Sequence, residues 1–325
     1  MPRWFVTGPA TLTFALGVAL SAHCGEIYVS NEGNDTVVVL DSDSLEIQHV
    51  IETGGRPRDM RFSPDGSELL IAASEADRIE VLDLETKTIT GYIDTGDDPE
   101  LFDIDPSGEI LVVSNEDDAE ATVIDVASGT IRTVIEDVGI EPEGVRFTPD
   151  GKRVFVTAEA TNTIAVIDPW EGVILADVLV GNRPRRGTFT PDGREYWVTN
   201  ELGGTVSVID TESLQVTDTI SFEKKGLREA DITPVDLVMT RDGTTAFVTL
   251  GRAWHVARVD VATRAVEAYI LAGSRVWGAA LTADDSILVV TNGASDDISV
   301  IDTEANRAIR SVAVGRTPHT VRIRD

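Results

Sequence analysis

EPEGVRFTPDGKRVFVTAEATNTIAVID, residues 141–168, is the stretch whose reading decides the fold. A short apolar run (Gly144 to Phe147) meets the turn Thr148-Pro149-Asp150-Gly151, and a second run (Val154 to Thr157) follows. A polar loop (Ala158 to Asn162) then leads to Thr163–Ile167, which Asp168 closes. Pro149 presets φ, Asp150 can bond its own backbone and Gly151 accepts positive φ, so this turn reverses the chain. The runs are rich in Val, Ile and Phe and about five residues long, the length of strands rather than helices.

Working outward, the same unit recurs. An outer strand ends in a hydrophobic residue and an aspartate at Asp41, Asp83, Asp125, Asp168, Asp210, Asp260 and Asp302, at intervals of 42, 42, 43, 42, 50 and 42 residues. The turn returns as Ser63-Pro64-Asp65-Gly66, Asp105-Pro106-Ser107-Gly108 and Thr190-Pro191-Asp192-Gly193. It persists in weaker form as Thr240-Arg241-Asp242-Gly243 and Thr282-Ala283-Asp284-Asp285. A period of about 40 to 45 with several short strands marks a β-propeller blade. The expected fold is therefore all-β, a seven-bladed propeller of four-stranded antiparallel blades. Thr317–Ile323 reads as a first strand that then stops, and Ile27–Asn31 reads as a second strand. The last blade is expected to take one strand from the C-terminus and three from the N-terminus, which removes the free edges. The 50-residue interval reflects an insertion, Phe222 to Ile232, read as a surface loop or a lip over one face.

The 325 residues carry a formal net charge of −29, which excludes phosphate-rich partners such as nucleic acid by repulsion. Lysine occurs only at positions 87, 152, 224 and 225, so nearly all cations are arginines. Arg3, an apolar run from Leu12 to Leu20 and small residues from Ser21 onward have the layout of a secretory signal peptide, too short to span a membrane. Residues 1–24 are expected to be the signal peptide, with cleavage between Ser21 and Gly25, and 25–325 one propeller in the periplasm. Cys24 is the single cysteine, which leaves no disulfide, and no Cys-x-x-Cys-His haem attachment site is present.

Val154-Phe155-Val156-Thr157, Tyr196-Trp197-Val198-Thr199-Asn200 and Leu288-Val289-Val290-Thr291-Asn292 resemble the YVTN-type propeller repeat. Longer pieces (Ser114–Asp118, Glu141–Gly144, Arg183-Pro184-Arg185, Asn200–Asp210 and Arg275-Val276-Trp277) resemble the propellers associated with catabolism dependent on pyrroloquinoline quinone, PQQ. The resemblance covers residues 25–325. It implies an exported accessory protein that works beside a quinoprotein alcohol dehydrogenase, c-type cytochromes and a transporter. Where such proteins often place an apolar residue or His after Arg-Pro-Arg, this chain has Arg186.

In a propeller the inner strands start around the channel mouth, and the loops after the second strands reach the same face. The first set of candidates is Arg58, Asp59, Glu100, Glu143, Arg185, Arg186, Asp236, Trp277 and His319, with Arg275 beside them. The second is Glu32, Glu75, Glu116, Glu159 and Glu201, with Gly251 and Gly293 in the remaining blades. These residues allow three readings. They form a repeated ion-pair network, or a funnel for a small anion such as PQQ, in which Arg58, Arg185, Arg186 and Arg275 grip carboxylates and Trp277 stacks. In the third, oxygens of Glu116, Asp117, Asp118, Glu143 and Glu159 hold a hard cation. On the funnel reading, removing Arg185 and Arg186 weakens ligand capture and spares stability.

Seven-bladed YVTN-like propellers also resemble sugar lactonases, for which His319, Glu100 or Glu143 and Arg185 would supply a base and an oxyanion clamp. No spacing enforces that arrangement; His49 falls in an outer strand and His255 in a loop. No Gly-x-Ser-x-Gly, His-Glu-x-x-His or phosphate loop occurs. The expectation is a binding protein rather than an enzyme, with a pure interaction scaffold as the remaining alternative.

Overall fold

The computed structural model describes residues 25–325 as seven four-stranded antiparallel sheets arranged as propeller blades. The reading of residues 1–24 and Cys24 lies outside the described residues. Blade 1 runs through Pro57–Phe62, Glu68–Ala73, Arg78–Asp83 and Thr88–Asp94, and blades 2 to 6 repeat the order. In blade 7 the inner strand Pro318–Arg324 pairs with Glu26–Asn31, which is followed by Thr36–Asp41 and Ile47–Glu52. One strand from the C-terminus and three from the N-terminus thus close the ring, in register at Val29 and Val321. Among the described residues helix is confined to two short 3-10 turns, Ser74–Ala76 and Glu229–Asp231, and no helix is long and apolar enough to cross a membrane.

The seven aspartates close the third strand of each blade, not the outermost. A fourth strand lies outside it and is largely exposed, as in Ile47–Glu52 and Gln215–Ser221, so its weak apolar pattern hides it in the sequence. The repeated aspartate has a structural cause. Asp83 Oδ1 accepts the Thr86 backbone N–H (2.7 Å) and hydroxyl (2.8 Å), and Asp125, Asp210 and Asp260 make the same pair of bonds with Ser128, Ser213 and Thr263. These bonds hold the turn between third and fourth strands.

Second strands such as Ile110–Asn115 are buried at every position because a blade packs against a neighbour on each side. Val112 joins a cluster with Val145, Phe147 and Val154 of blade 3, whereas Leu111 and Val113 join Leu70, Ala72 and Ile79 of blade 1. The core is therefore seven separate seams between blades, each with its own apolar cluster.

The Ser or Thr of the repeat ties the seams together near the axis. Hydroxyls of Ser30, Ser114, Thr157, Thr199, Thr249 and Thr291 donate to the carbonyls of Arg58, Glu143, Arg185, Val235, Trp277 and His319, each on the next blade, at 2.6 to 3.0 Å. Blade 1 has Ala72 at this position and uses Ser74, which donates to the Pro99 carbonyl (2.9 Å). The insertion folds down onto blades 4 and 5: Phe222 and Ile232 are buried and Leu227 packs against them. Behind it the inner strand of blade 5 is short, Leu237–Met239, rather than starting near Pro234. His255, expected in a loop, opens the strand His255–Asp260.

Candidate functional site

Strand register sorts the channel side chains into rings. Met60, Phe102, Val145, Gly187, Leu237, Ala279 and Val321 pair with equivalent second-strand residues, and their side chains, where present, join the seams. The residue before each faces the axis: Asp59, Leu101, Gly144, Arg186, Asp236, Gly278 and Thr320. A register shift at the strand start turns the preceding residue inward as well. The mouth ring is therefore Arg58, Glu100, Glu143, Arg185, Val235, Trp277 and His319. Asp59, Arg186 and Asp236 stand one ring deeper than these.

The mouth ring and the loops above it meet as a buried ion-pair lattice. Arg58 touches Glu32, Glu100 and, at 3.4 Å, Glu143. Arg185 reaches Glu143 (3.0 Å), Glu159 and Glu201 (3.8 Å), and Arg183 holds Glu159 (2.6 Å) and Glu201 (3.3 Å) from above. Burial pushes the Glu143 carboxyl up, but Arg185, Arg58 and Arg186 outweigh it and hold the group below its ordinary range. Glu100 goes the other way, because full burial and the Glu143 charge exceed what Arg58 and Arg56 return. Glu159 is pushed up to about 7, first by burial and then by Glu143. Glu75, the fifth expected member of the carboxylate set, is exposed and makes no ion pair among the described residues.

Below the mouth, Arg186 reaches Asp236 (3.1 Å) and donates to His319 Nε2 (3.1 Å), while His319 Nδ1 faces the Arg58 carbonyl (3.2 Å). Burial, then the charges of Arg58 and Arg186, keep the imidazole neutral by pulling its pKa well down. Arg185 and Arg186 are thus framework: removing Arg186 strands Asp236, at a cost of about 3–5 kcal/mol, and removing Arg185 leaves Glu143 and Glu159 with one cation each, a smaller but still substantial loss. The expectation that their loss would spare stability is replaced by the opposite one.

Arg275 is different. It is exposed, lies 4.4 Å over the Trp277 ring and has no carboxylate at ion-pair distance among the described residues. Arg185 covers the same ring at 4.9 Å, and the buried Trp277 Nε1 has no hydrogen-bond partner among the described residues. Arg275 and Trp277 border a cavity of about 170 Å³ that Arg58, Glu116, Glu143 and His319 also line. The insertion contributes no lining residue. The carboxylates of the hard-cation reading do not converge: Asp117 and Asp118 point to solvent. Asp98, Glu100 and Glu116 do cluster, yet Arg56 already holds Asp98 (3.3 Å) and Glu100 (3.0 Å).

Two rings beyond the mouth lies a set absent from the candidates: Arg61, Asp103, Arg146 and Arg322. Each follows its inner-strand proline by four residues (Pro57, Pro99, Pro142, Pro318), so period-2 counting down the inner strand would have found them.

Fold and channel define a seven-bladed β-propeller with a charged, partly filled axis. The chain belongs to the YNCE-like beta-propeller family, whose model matches residues 15–278 and 133–325. No protein of curated function matches it in sequence. Among solved structures it is similar to hydrazine synthase of Kuenenia stuttgartiensis, at 20% identity over 85% of this chain and 92% of that one, TM-score 0.76. A functionally unknown protein from Desulfotomaculum acetoxidans aligns at 17% identity over 92% and 98% of the two chains, TM-score 0.79. A proposed 6-phosphogluconolactonase from Bacteroides fragilis aligns at 20% identity over 94% and 99%, TM-score 0.77. At such identities the likeness concerns the fold alone.

Proposed function

We propose that the protein is an exported, periplasmic binding propeller that takes a small polycarboxylate at the channel mouth in PQQ-dependent alcohol catabolism. The observation that carries this reading is the Arg275–Trp277 pair: a cation without a carboxylate, stacked on an indole whose N–H lacks a partner, at the rim of a cavity. A guanidinium and an indole N–H together match one carboxylate. A short acid enters such a cavity whole; PQQ would enter by one edge. The pathway rests on the sequence resemblance. The acidic surface suits a basic docking partner, a quinoprotein dehydrogenase or a c-type cytochrome, chiefly by speeding encounter.

The test is thermal denaturation of residues 25–325 with PQQ, with citrate and with no addition. Binding to the native state alone raises stability by about 2.7 kcal/mol at about a hundredfold excess over Kd. The expected result is a shift with PQQ or citrate that Arg275→Ala removes while the unliganded melting temperature stays within a degree or two. No shift, or an undiminished shift in the variant, sinks the reading and moves the weight to a protein partner.

One observation favours a second reading, a lactonase-like hydrolase: Glu159 has its pKa near neutrality, where a general acid or base works best. It stands behind Arg183 and Arg185, so a hydrolase would need those side chains to move. Turnover of sugar lactones abolished by Glu159→Gln would establish it, and absence of turnover would dismiss it.

A further inference from the structure

Beyond the Arg186–His319 contact, the channel opens into a second chamber of about 200 Å³ toward the opposite face. We propose that this chamber is an independent binding site for a short-chain monocarboxylate.

Its charges do not cancel. Four guanidinium groups (Arg61, Arg146, Arg186 and Arg322) meet three carboxylates, Asp59, Asp103 and Asp236. Three of the four arginines are anchored. Arg322 lies 2.5 Å from Asp59 and donates from Nε to the Met60 carbonyl at 2.6 Å. Arg61 lies between Asp59 (3.5 Å) and Asp103 (3.4 Å) and donates to the Phe102 carbonyl (3.1 Å). Arg186 is held by Asp236 and His319.

Arg146 is the surplus cation. Its one ion contact is Asp103 at 3.8 Å, and its side chain makes no hydrogen bond among the described residues. The Tyr196 hydroxyl, fully buried, lies against Gly187 of the lining and within electrostatic reach of Arg146 and Asp103, and it too has no hydrogen-bond partner. Burial, then the neighbouring Arg61 charge, draws the Arg322 guanidinium down to about 9 despite Asp59, whereas Arg146, despite its burial, is held up by Asp103. One carboxylate would supply the missing charge and fill the empty donors of Arg146.

The rest of the lining chooses among anions. Leu101, Val145, Leu237, Val238, Ala279 and Ala280 supply the apolar wall segments of the lining, on blades 2, 3, 5 and 6. A hydrated inorganic anion gains nothing there, whereas an alkyl chain sheds water. The space equals roughly half a dozen waters at about 30 Å³ each, which suits an acid of a few carbons. The Arg186–His319 contact separates this chamber from the mouth, so occupancy here does not depend on Arg275.

Calorimetric titration of residues 25–325 with acetate, propionate, butyrate and inorganic phosphate tests the inference. Affinity should rise about fourfold per added methylene, from about 0.8 kcal/mol each. Arg146→Gln should weaken butyrate at least tenfold, and Ala280→Leu, which fills the apolar wall while leaving every charge in place, should exclude butyrate more than acetate. Arg275→Ala should bind butyrate as the wild type does, even if it loses PQQ or citrate. Equal affinity for acetate, butyrate and phosphate, no uptake of any, or loss in Arg275→Ala but not in Ala280→Leu would overturn it.

Discussion

Arg58 and Arg275 have the same chemistry and opposite fates. Arg58 is enclosed by Glu32, Glu100 and Glu143, while Arg275 keeps its charge uncommitted over Trp277. Beside them Glu159, the partner of Arg183 and Arg185, offers a titration with a defined sign. Folded, it keeps its proton to about 7, against an ordinary value of 4.5, so between these pH values the folded chain binds the extra proton. Its contribution to stability is therefore greatest near the lower value and falls as pH rises through the folded pKa. Glu100 works in the same direction, whereas His319, kept neutral, favours folding increasingly up to its ordinary 6.5. Comparison with Glu159→Gln isolates the one group. The stability of wild type relative to that variant should fall between about pH 5 and about pH 8 in urea titrations, and a constant difference would refute the assignment.

At the scale of elements, the turn between first and second strands shows which part of a motif is backbone and which is packing. Gly66 and Gly108 both lie in the left-handed region, at φ of 70° and 76°. A Cβ at Gly66 would meet nothing within 4 Å, whereas at Gly108 it would come within 2.5 Å of Pro64 Cγ on the adjacent blade. Gly66→Ala should cost about 1 kcal/mol, the backbone term alone, and Gly108→Ala should cost more because the proline of one turn packs against the glycine of the next. Equal costs in denaturant titrations would show the seam to be loose there. The turns themselves were legible, since Gly and Asp leave a chemical signature. The ring of Arg61, Arg146 and Arg322 leaves a fainter mark, because the bulge beside the proline sets which of the next residues face inward. Asp236, two residues beyond Pro234, stands one ring deeper than the mouth by the same register that sets Asp59 and Arg186.

For the whole molecule, closure is the step on which cooperativity depends. The strand Pro318–Arg324 covers the edge of Glu26–Asn31 and carries His319 and Arg322 into the channel. Ending the chain before Pro318 should expose that edge, remove one of the two arginine partners of Asp59 and replace one cooperative transition by broad unfolding with aggregation. A soluble monomer with an unchanged melting curve would show that the ring does not need its closing strand.

Sequence by itself determined the blade number, the turns and the shared blade, because each depends on local backbone chemistry repeated at a fixed period. It also brought Arg58, Glu143, Arg185 and their neighbours to one face, since one position per repeat must gather around an axis. Tertiary structure alone decided which charges are spent. Whether an arginine is neutralised depends on carboxylates from other blades, as Arg58 meets Glu143 across 85 residues and His319 meets Arg186 across 133. Repeat spacing carries no record of those distances, and so the least neutralised cations of the channel, Arg275 at the mouth and Arg146 in the far chamber, appear only once the ring is closed.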